Sequence, residues 1–146
     1  MSVVFTPNHF EVCKKITWDD VIDKIDIESV NQQHKVVGEL SISPTIILCS
    51  DYYPGSIKHA FHKVKNDCGI QILHIYASFS RIGETFGRHC DTVDVLIVQS
   101  VGEVSYRFDD GSIYDLTPGD SIYIPKGTYH DPIVKSPRVT LSFSWE

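Results

Sequence analysis

The sequence predicts a mainly β domain, a small barrel or sandwich, preceded by a short helical segment. Aromatic residues are abundant, with 7 Phe, 7 Tyr and 2 Trp in 146 residues. Tyr and Phe, like Val and Ile, favour strands. They gather in the second half of the chain in short apolar runs. Turn residues separate those runs, at Asp109-Asp-Gly111, Pro118-Gly119-Asp120 and Pro125-Lys-Gly127. Short strands with regularly spaced Gly/Pro turns mark sandwiches and barrels.

The first half carries two helices and one strand. Thr17-Trp-Asp-Asp20 reads as a helix start, with Thr17 as N-cap and acids in the first turn, where the dipole favours them. Trp18, Val21, Ile22 and Ile25 follow at the spacing of one helical face. Ile46–Cys49, after Pro44, reads as a buried strand. Asp51–Gly55 has turn chemistry. Ser56 is expected to cap a second helix, with Ile57, Ala60, Phe61 and Val64 on its apolar side. The expected strands of the second half are Gln71–Phe79, Val93–Gln99, Val104–Phe108, Ser112–Leu116, Ser121–Ile124 and Arg138–Trp145. A chain of this length is expected to form one domain over 1–146, with a barrel at about 70–146 and a helix-and-loop extension before it.

Charge and composition exclude several classes. Lys+Arg 13 against Asp+Glu 19 gives a net charge of −6, and no basic run supplies a nucleic-acid footprint. No stretch approaches the roughly 18 apolar residues of a membrane helix. The first residues lack a charged leader before an apolar core, so a cytoplasmic protein is expected. The four cysteines, Cys13, Cys49, Cys68 and Cys90, have no CxxC spacing and read as reduced thiols.

Two segments carry chemistry. In Gly83-Glu-Thr-Phe-Gly-Arg-His89-Cys-Asp91, strand alternation puts His89 and Asp91 on one face. In Gly119-Asp-Ser-Ile-Tyr-Ile-Pro125-Lys-Gly127-Thr-Tyr-His130, two glycines bracket a strand and the turn after Pro125 delivers His130. If the two segments meet, His89, Asp91 and His130 form a facial set of two imidazoles and a carboxylate. Such a set leaves open positions on a divalent metal and suits non-haem Fe(II). Other polar residues read more simply. His59 and His62 fit a helix flank, His74 a satisfied core histidine, Asp94 a structural acid, Cys90 a packing thiol and Lys126 a solvated turn residue.

On these residues the chain resembles the cupin superfamily, which implies a double-stranded β-helix, the cupin jelly roll. Gly119, Pro125, Gly127 and His130 match the second cupin motif, and Val134 replaces its final Asn. Gly83 and His89 match the start of the first motif, Gly102 fills its end, and Asp91 replaces its second His. The run from His89 to Gln99, then Gly102 and Tyr106, is similar to the JmjC-like branch, the Fe(II)- and 2-oxoglutarate-dependent oxygenases that include ribosomal-protein hydroxylases. That resemblance implies Fe(II) on His89, Asp91 and His130, and 2-oxoglutarate as cosubstrate. It also implies a Lys or Arg two residues before the aromatic, where this chain has Val104. Arg138 is the substitute expected to hold the far carboxylate, together with Tyr106. Arg107 has the wrong parity to share Tyr106's face.

The expected function is therefore a metal-binding cupin acting as an Fe(II)-dependent oxygenase, with a small molecule as substrate or cosubstrate. The alternatives are a metal-cupin dioxygenase or isomerase that does not use 2-oxoglutarate, which Val104 motivates, and a non-catalytic ligand-binding cupin. A homodimer through strand edges is expected, because pairing covers exposed edges.

Overall fold

A computed structural model describes residues 2–23, 45–47, 55–81 and 85–146. Ile25, Cys49, the turn at 51–54 and Gly83 lie outside the described residues. Among the described residues nine strands form two antiparallel sheets. They are β1 (Val4–Thr6), β2 (Thr45–Ile47), β3 (Ile72–Ser78), β4 (Asp94–Val101), β5 (Val104–Phe108), β6 (Ile113–Leu116), β7 (Ser121–Ile124), β8 (His130–Val134) and β9 (Arg138–Trp145). The larger sheet runs β1-β7-β4-β9-β3-β2 and the smaller β6-β5-β8. From β4 onward the chain passes to the smaller sheet for β5 and β6, back for β7, across again for β8 and back for β9, the winding of a double-stranded β-helix. The N-terminal segment adds β1 and β2 to the two edges of the larger sheet, so that sheet draws on residues well before position 70.

Strand β4 explains the run Val95-Leu-Ile-Val98. It lies between β7 and β9 with both faces covered, and a strand buried on both sides reads as continuous rather than alternating. Its two faces belong to two cores. Leu96 and Val98 join Leu73, Ile75, Leu141 and Phe143 against the helix Ser56–Cys68. Val95 and Ile97 join Val104, Tyr106, Phe108, Leu116, Ile122 and Ile124 between the sheets. The first core fixes the sheet on its scaffold, and the second builds the walls of the site.

The helical segment follows its caps. The Asp20 N–H donates to Thr17 Oγ1 while the Thr17 N–H donates to Asp20 Oδ2, a reciprocal capping box. Residues 18–23 are helical. In the second helix Ile57, Ala60, Phe61 and Val64 are buried as the spacing predicts. Ser56 departs from expectation. Gly55 occupies the N-cap position without a side-chain cap, and the Ser56 hydroxyl donates to Asp20 Oδ2 at 2.7 Å. Ser56 thus ties the two helix starts together rather than capping its own. His59 and His62 are exposed on the helix flank.

The turn at Asp109–Gly111 closes the β5–β6 hairpin, those at Pro118–Asp120 and Pro125–Gly127 carry the chain between the sheets, and among the described strands the sequence pattern conceals β8 and β1. β8 contains Pro132, which argues against a central strand. Its place is the edge of the three-stranded sheet, where a missing N–H is tolerated. β1 is three residues long and gains its identity from its pairing with β7.

Gly102 illustrates how tightly the β4–β5 turn is packed. Its φ is +72°, and a Cβ there would lie 2.0 Å from the Pro137 carbonyl oxygen. Substitution at a left-handed position costs energy in itself, and overpacking adds typically 1–3 kcal/mol. Gly102→Ala should lower unfolding free energy by about 2–4 kcal/mol in urea titrations. A loss below about 0.5 kcal/mol would show that this close approach does not constrain the turn.

Candidate metal centre

His89 and His130 stand 41 residues apart in sequence but side by side in the fold. The His89 N–H donates to the His130 carbonyl at 2.9 Å, and the His130 N–H donates to the His89 carbonyl at 2.8 Å. This isolated antiparallel bridge places the two side chains on one face, with ring centroids 4.4 Å apart. The flanking residues repeat the pairing outside. Arg88 lies over the Tyr129 ring at 4.1 Å and forms a two-point ion pair with Asp109.

The same local device orients both imidazoles. His89 Nδ1 sits 2.7 Å from the Gly87 carbonyl, and His130 Nδ1 sits 2.9 Å from the Thr128 carbonyl. A carbonyl oxygen only accepts, so each Nδ1 carries the hydrogen and each Nε2 presents a lone pair. Both Nε2 atoms face Asp91, His89 at 3.9 Å from Oδ1 and His130 at 3.5 Å from Oδ2. The three donor groups lie within 4.8 Å of one another. Burial holds the His130 pKa below the ordinary imidazole value, which favours the neutral form that a metal needs. Two lone-pair nitrogens and a carboxylate oxygen, with tautomers set by backbone carbonyls, fit a divalent cation. Among the described residues no other group of three His, Cys, Asp or Glu side chains converges in this way.

The turn after β7 fixes Asp91. The Gly127 N–H donates to the Asp91 carbonyl at 2.9 Å, and Gly127 adopts φ +78° to complete the turn. Asp94 fastens that turn, accepting the Lys126 N–H on Oδ1 at 2.8 Å. That bond holds the Asp94 carboxyl below the usual carboxylate range. Asp94 is thus a structural acid one layer behind the donors. Cys90 is a half-buried free thiol. Cys13 and Cys68 are also free, and burial pushes the Cys13 thiol up to about 12.

The donors open into a pocket with about 450 Å³ of empty space, part of it continuous with solvent. Tyr76, Ile97, Tyr106, Arg138 and Ser142 line its interior, and Thr85, Phe86 and Pro132 its mouth. Arg138 is 3% exposed, so it is not a solvated strand-start residue. Its Nε donates to Ser78 Oγ at 2.8 Å and its Nη1 to Thr140 Oγ1 at 2.9 Å. Among the described residues no carboxylate pairs with it. Burial lowers the Arg138 pKa from its ordinary value and pushes the neighbouring Tyr106 phenol up to about 12. Tyr76 is likewise raised, by burial first and by the Asp91 charge second.

Val104 is fully buried and pairs with Leu116 and Val134. Val134, which replaces the final Asn of the second cupin motif, and Val104, which stands where the JmjC-like resemblance implies a cation, are therefore cross-strand partners. The smaller sheet is apolar there, and the buried cation enters from the larger sheet. Arg107 points outward and pairs with Asp131. His74 is half-buried on the strand that carries Tyr76 and is not among the pocket residues. Lys126 is an exposed turn residue.

No protein-family model matches the sequence, and no curated protein matches it. Solved structures do. The X-ray structure of Escherichia coli YcfD aligns with a TM-score of 0.76 and 16% identity, covering 99% of this chain and 49% of that one. The ribosomal oxygenase YcfD from E. coli in complex with cobalt and 2-oxoglutarate gives 0.73 and 17%, covering 99% and 48%. Its complex with cobalt and succinic acid gives 0.64 and 21%, covering 77% and 34%. The shared feature is the fold. It is the double-stranded β-helix that the resemblance to cupins implies. The chain spans about half the length of these structures or less.

Sequence reasoning missed Tyr76, Ser78, Gln99, Thr140 and Phe86. Parity alone puts Arg138 and Thr140 on one face of β9. The others required the cross-strand register, which sets Tyr76 and Gln99 opposite Thr140 and Ser78 opposite Arg138.

A buried cation with no carboxylate partner among the described residues is held at a cost to stability. Arg138→Met should therefore leave unfolding free energy within about 1 kcal/mol of wild type, or raise it. A loss above about 3 kcal/mol in urea denaturation would instead make Arg138 a structural anchor of the barrel.

Proposed function

We propose that this chain is an Fe(II)-dependent oxygenase that uses 2-oxoglutarate. His89, Asp91 and His130 hold the metal, and Arg138 with Tyr106 holds the far carboxylate of the cosubstrate. The observation that carries this reading is the conjunction of the two sites. A metal-ready donor set and a buried arginine that no carboxylate among the described residues pairs with line one pocket. The fold shared with an oxygenase that binds cobalt and 2-oxoglutarate supports it.

When bound, iron would supply the oxidising chemistry, and a three-residue donor set would leave room for a cosubstrate beside it. The chain's own residues do the rest. The Nδ1 hydrogen bonds fix the imidazoles so that the donors do not reorganise on loading. Arg138 offers a charge-assisted hydrogen bond to an incoming carboxylate. Burial strengthens that bond, because the alternative is an unpaired buried charge. Tyr106, with its phenol kept neutral, remains a hydrogen-bond donor. Ile97 and the apolar Val104–Val134 pair exclude water from the inner wall.

One observation favours a second reading. Val104 removes the cation from the strand that carries it in the resembling hydroxylases. A carboxylate-bearing small molecule other than 2-oxoglutarate could then occupy Arg138, with the same metal donors.

The test separates the two. Anaerobically purified protein should bind close to one Fe(II) or Co(II) per chain, and His130→Ala should reduce metal affinity by at least about 100-fold. With Fe(II), O₂ and 2-oxoglutarate, the wild type should release succinate above a metal-free control, and Arg138→Met should suppress that release. Normal metal binding with no succinate and no 2-oxoglutarate affinity would move the assignment to the second reading. Unchanged metal stoichiometry in His130→Ala would overturn the metal centre.

A further inference from the structure

The orientation of Arg138 is imposed by a hydrogen-bond chain whose polarity is fixed from its far end. Gln99 is fully buried. Its Nε2 donates to the Val101 carbonyl at 2.8 Å and to the Gly102 carbonyl at 3.2 Å. Carbonyls only accept, so the amide cannot be flipped, and Oε1 must face Thr140. Thr140 Oγ1 therefore donates its one hydrogen to Gln99 Oε1, at 2.9 Å. Having no second hydrogen, that oxygen can only accept from Arg138 Nη1, at 2.9 Å. Ser78 takes Nε on the neighbouring strand. With Nε and one N–H of Nη1 tied down, three donors are left over, the second N–H of Nη1 and both of Nη2, and among the described residues none of them has a hydrogen-bond partner.

We propose that Gln99, acting through Thr140, is a positioning residue that holds the Nη2 edge of Arg138 ready for a carboxylate. This goes beyond the assignment of Arg138 as an anion contact, and it rests on the reading of the pocket as an oxygenase site. The bulge in β4 between Gln99 and Val101 has a matching role. It turns the Val101 and Gly102 carbonyls toward the Gln99 amide. Gln99 gives rigidity to a guanidinium that would otherwise rotate about its terminal bonds, and a donor held in place loses less entropy on binding.

The test uses the full chain labelled with ¹⁵N. Hindered rotation about the Arg138 Nε–Cζ bond should give separate Nη1 and Nη2 resonances in chelator-treated wild type. Thr140→Val and the volume-conserving Gln99→Met should collapse them into an averaged signal, and Thr140→Ser, which keeps the hydroxyl, should preserve them. Affinity for 2-oxoglutarate, measured by calorimetry on the Co(II)-loaded protein, should fall about 10-fold in the first two variants and stay within about 3-fold of wild type in the third. Metal affinity should be unchanged in all three. Wild-type resonances in both Thr140→Val and Gln99→Met would overturn the proposal. So would altered resonances with unaltered 2-oxoglutarate affinity, or a wild type that binds neither 2-oxoglutarate, succinate nor acetate. The NMR arm needs neither metal nor turnover, so it fails separately from the metal centre.

Discussion

Two backbone hydrogen bonds, from the His89 N–H to the His130 carbonyl and back, join the segment that leads into β4 to the start of β8. Everything at the site follows from that bridge. It puts the imidazoles on one face, and it sets Arg88 against Tyr129 on the other. It also leaves the Gly87 and Thr128 carbonyls positioned to fix both tautomers. Asp91, two residues on from His89, then has only one direction in which its carboxylate can meet both Nε2 atoms. The exposed Arg88–Asp109 pair adds little energy by itself, since surface pairs contribute about 0–1 kcal/mol. Its place is to clip the outside of a bridge that carries no flanking ladder of its own.

The second constraint is electrostatic. A charge inside a barrel must be paired or else maintained at a cost. The smaller sheet avoids this with Val104 against Val134. The larger sheet accepts it at Arg138, where among the described residues its neighbours are neutral hydroxyls and phenols and not a carboxylate. A fold gains no stability from that arrangement, whereas a binding site for an anion does gain affinity from it. The two valines and the arginine thus form one coherent change. In the proposed function, Arg138 supplies from the larger sheet the cation that the resemblance implies on the smaller one, and the Gln99–Thr140 chain aims it.

Much of this was legible in the sequence, for identifiable reasons. Strand β4 announced itself because burial on both faces leaves an unbroken apolar run. The turns at Asp109–Gly111 and Pro125–Gly127 depend on residues with local conformational preferences, which a sequence displays directly. His89 and Asp91 could be paired because parity is a local property, and His130 because the turn residues before it fit a known spacing. The gaps are equally physical. β8 was hidden by Pro132, which only an edge position permits, and β1 by having no pattern beyond its partner. Ser56 reads as a cap, but its hydroxyl serves Asp20, 36 residues earlier. The environment of Arg138 was out of reach because Ser78 and Gln99 meet it only through register, and register is a property of the assembled sheet.

X-ray absorption at the cobalt edge of the Co(II)-loaded protein tests the central claim most directly, because it reads the donors themselves. The first shell should contain nitrogen and oxygen only. The multiple-scattering pattern of two imidazoles should be present in wild type and reduced to one in His89→Ala. A sulfur scatterer, which would bring in the neighbouring Cys90, would contradict the account. So would a shell without imidazole features.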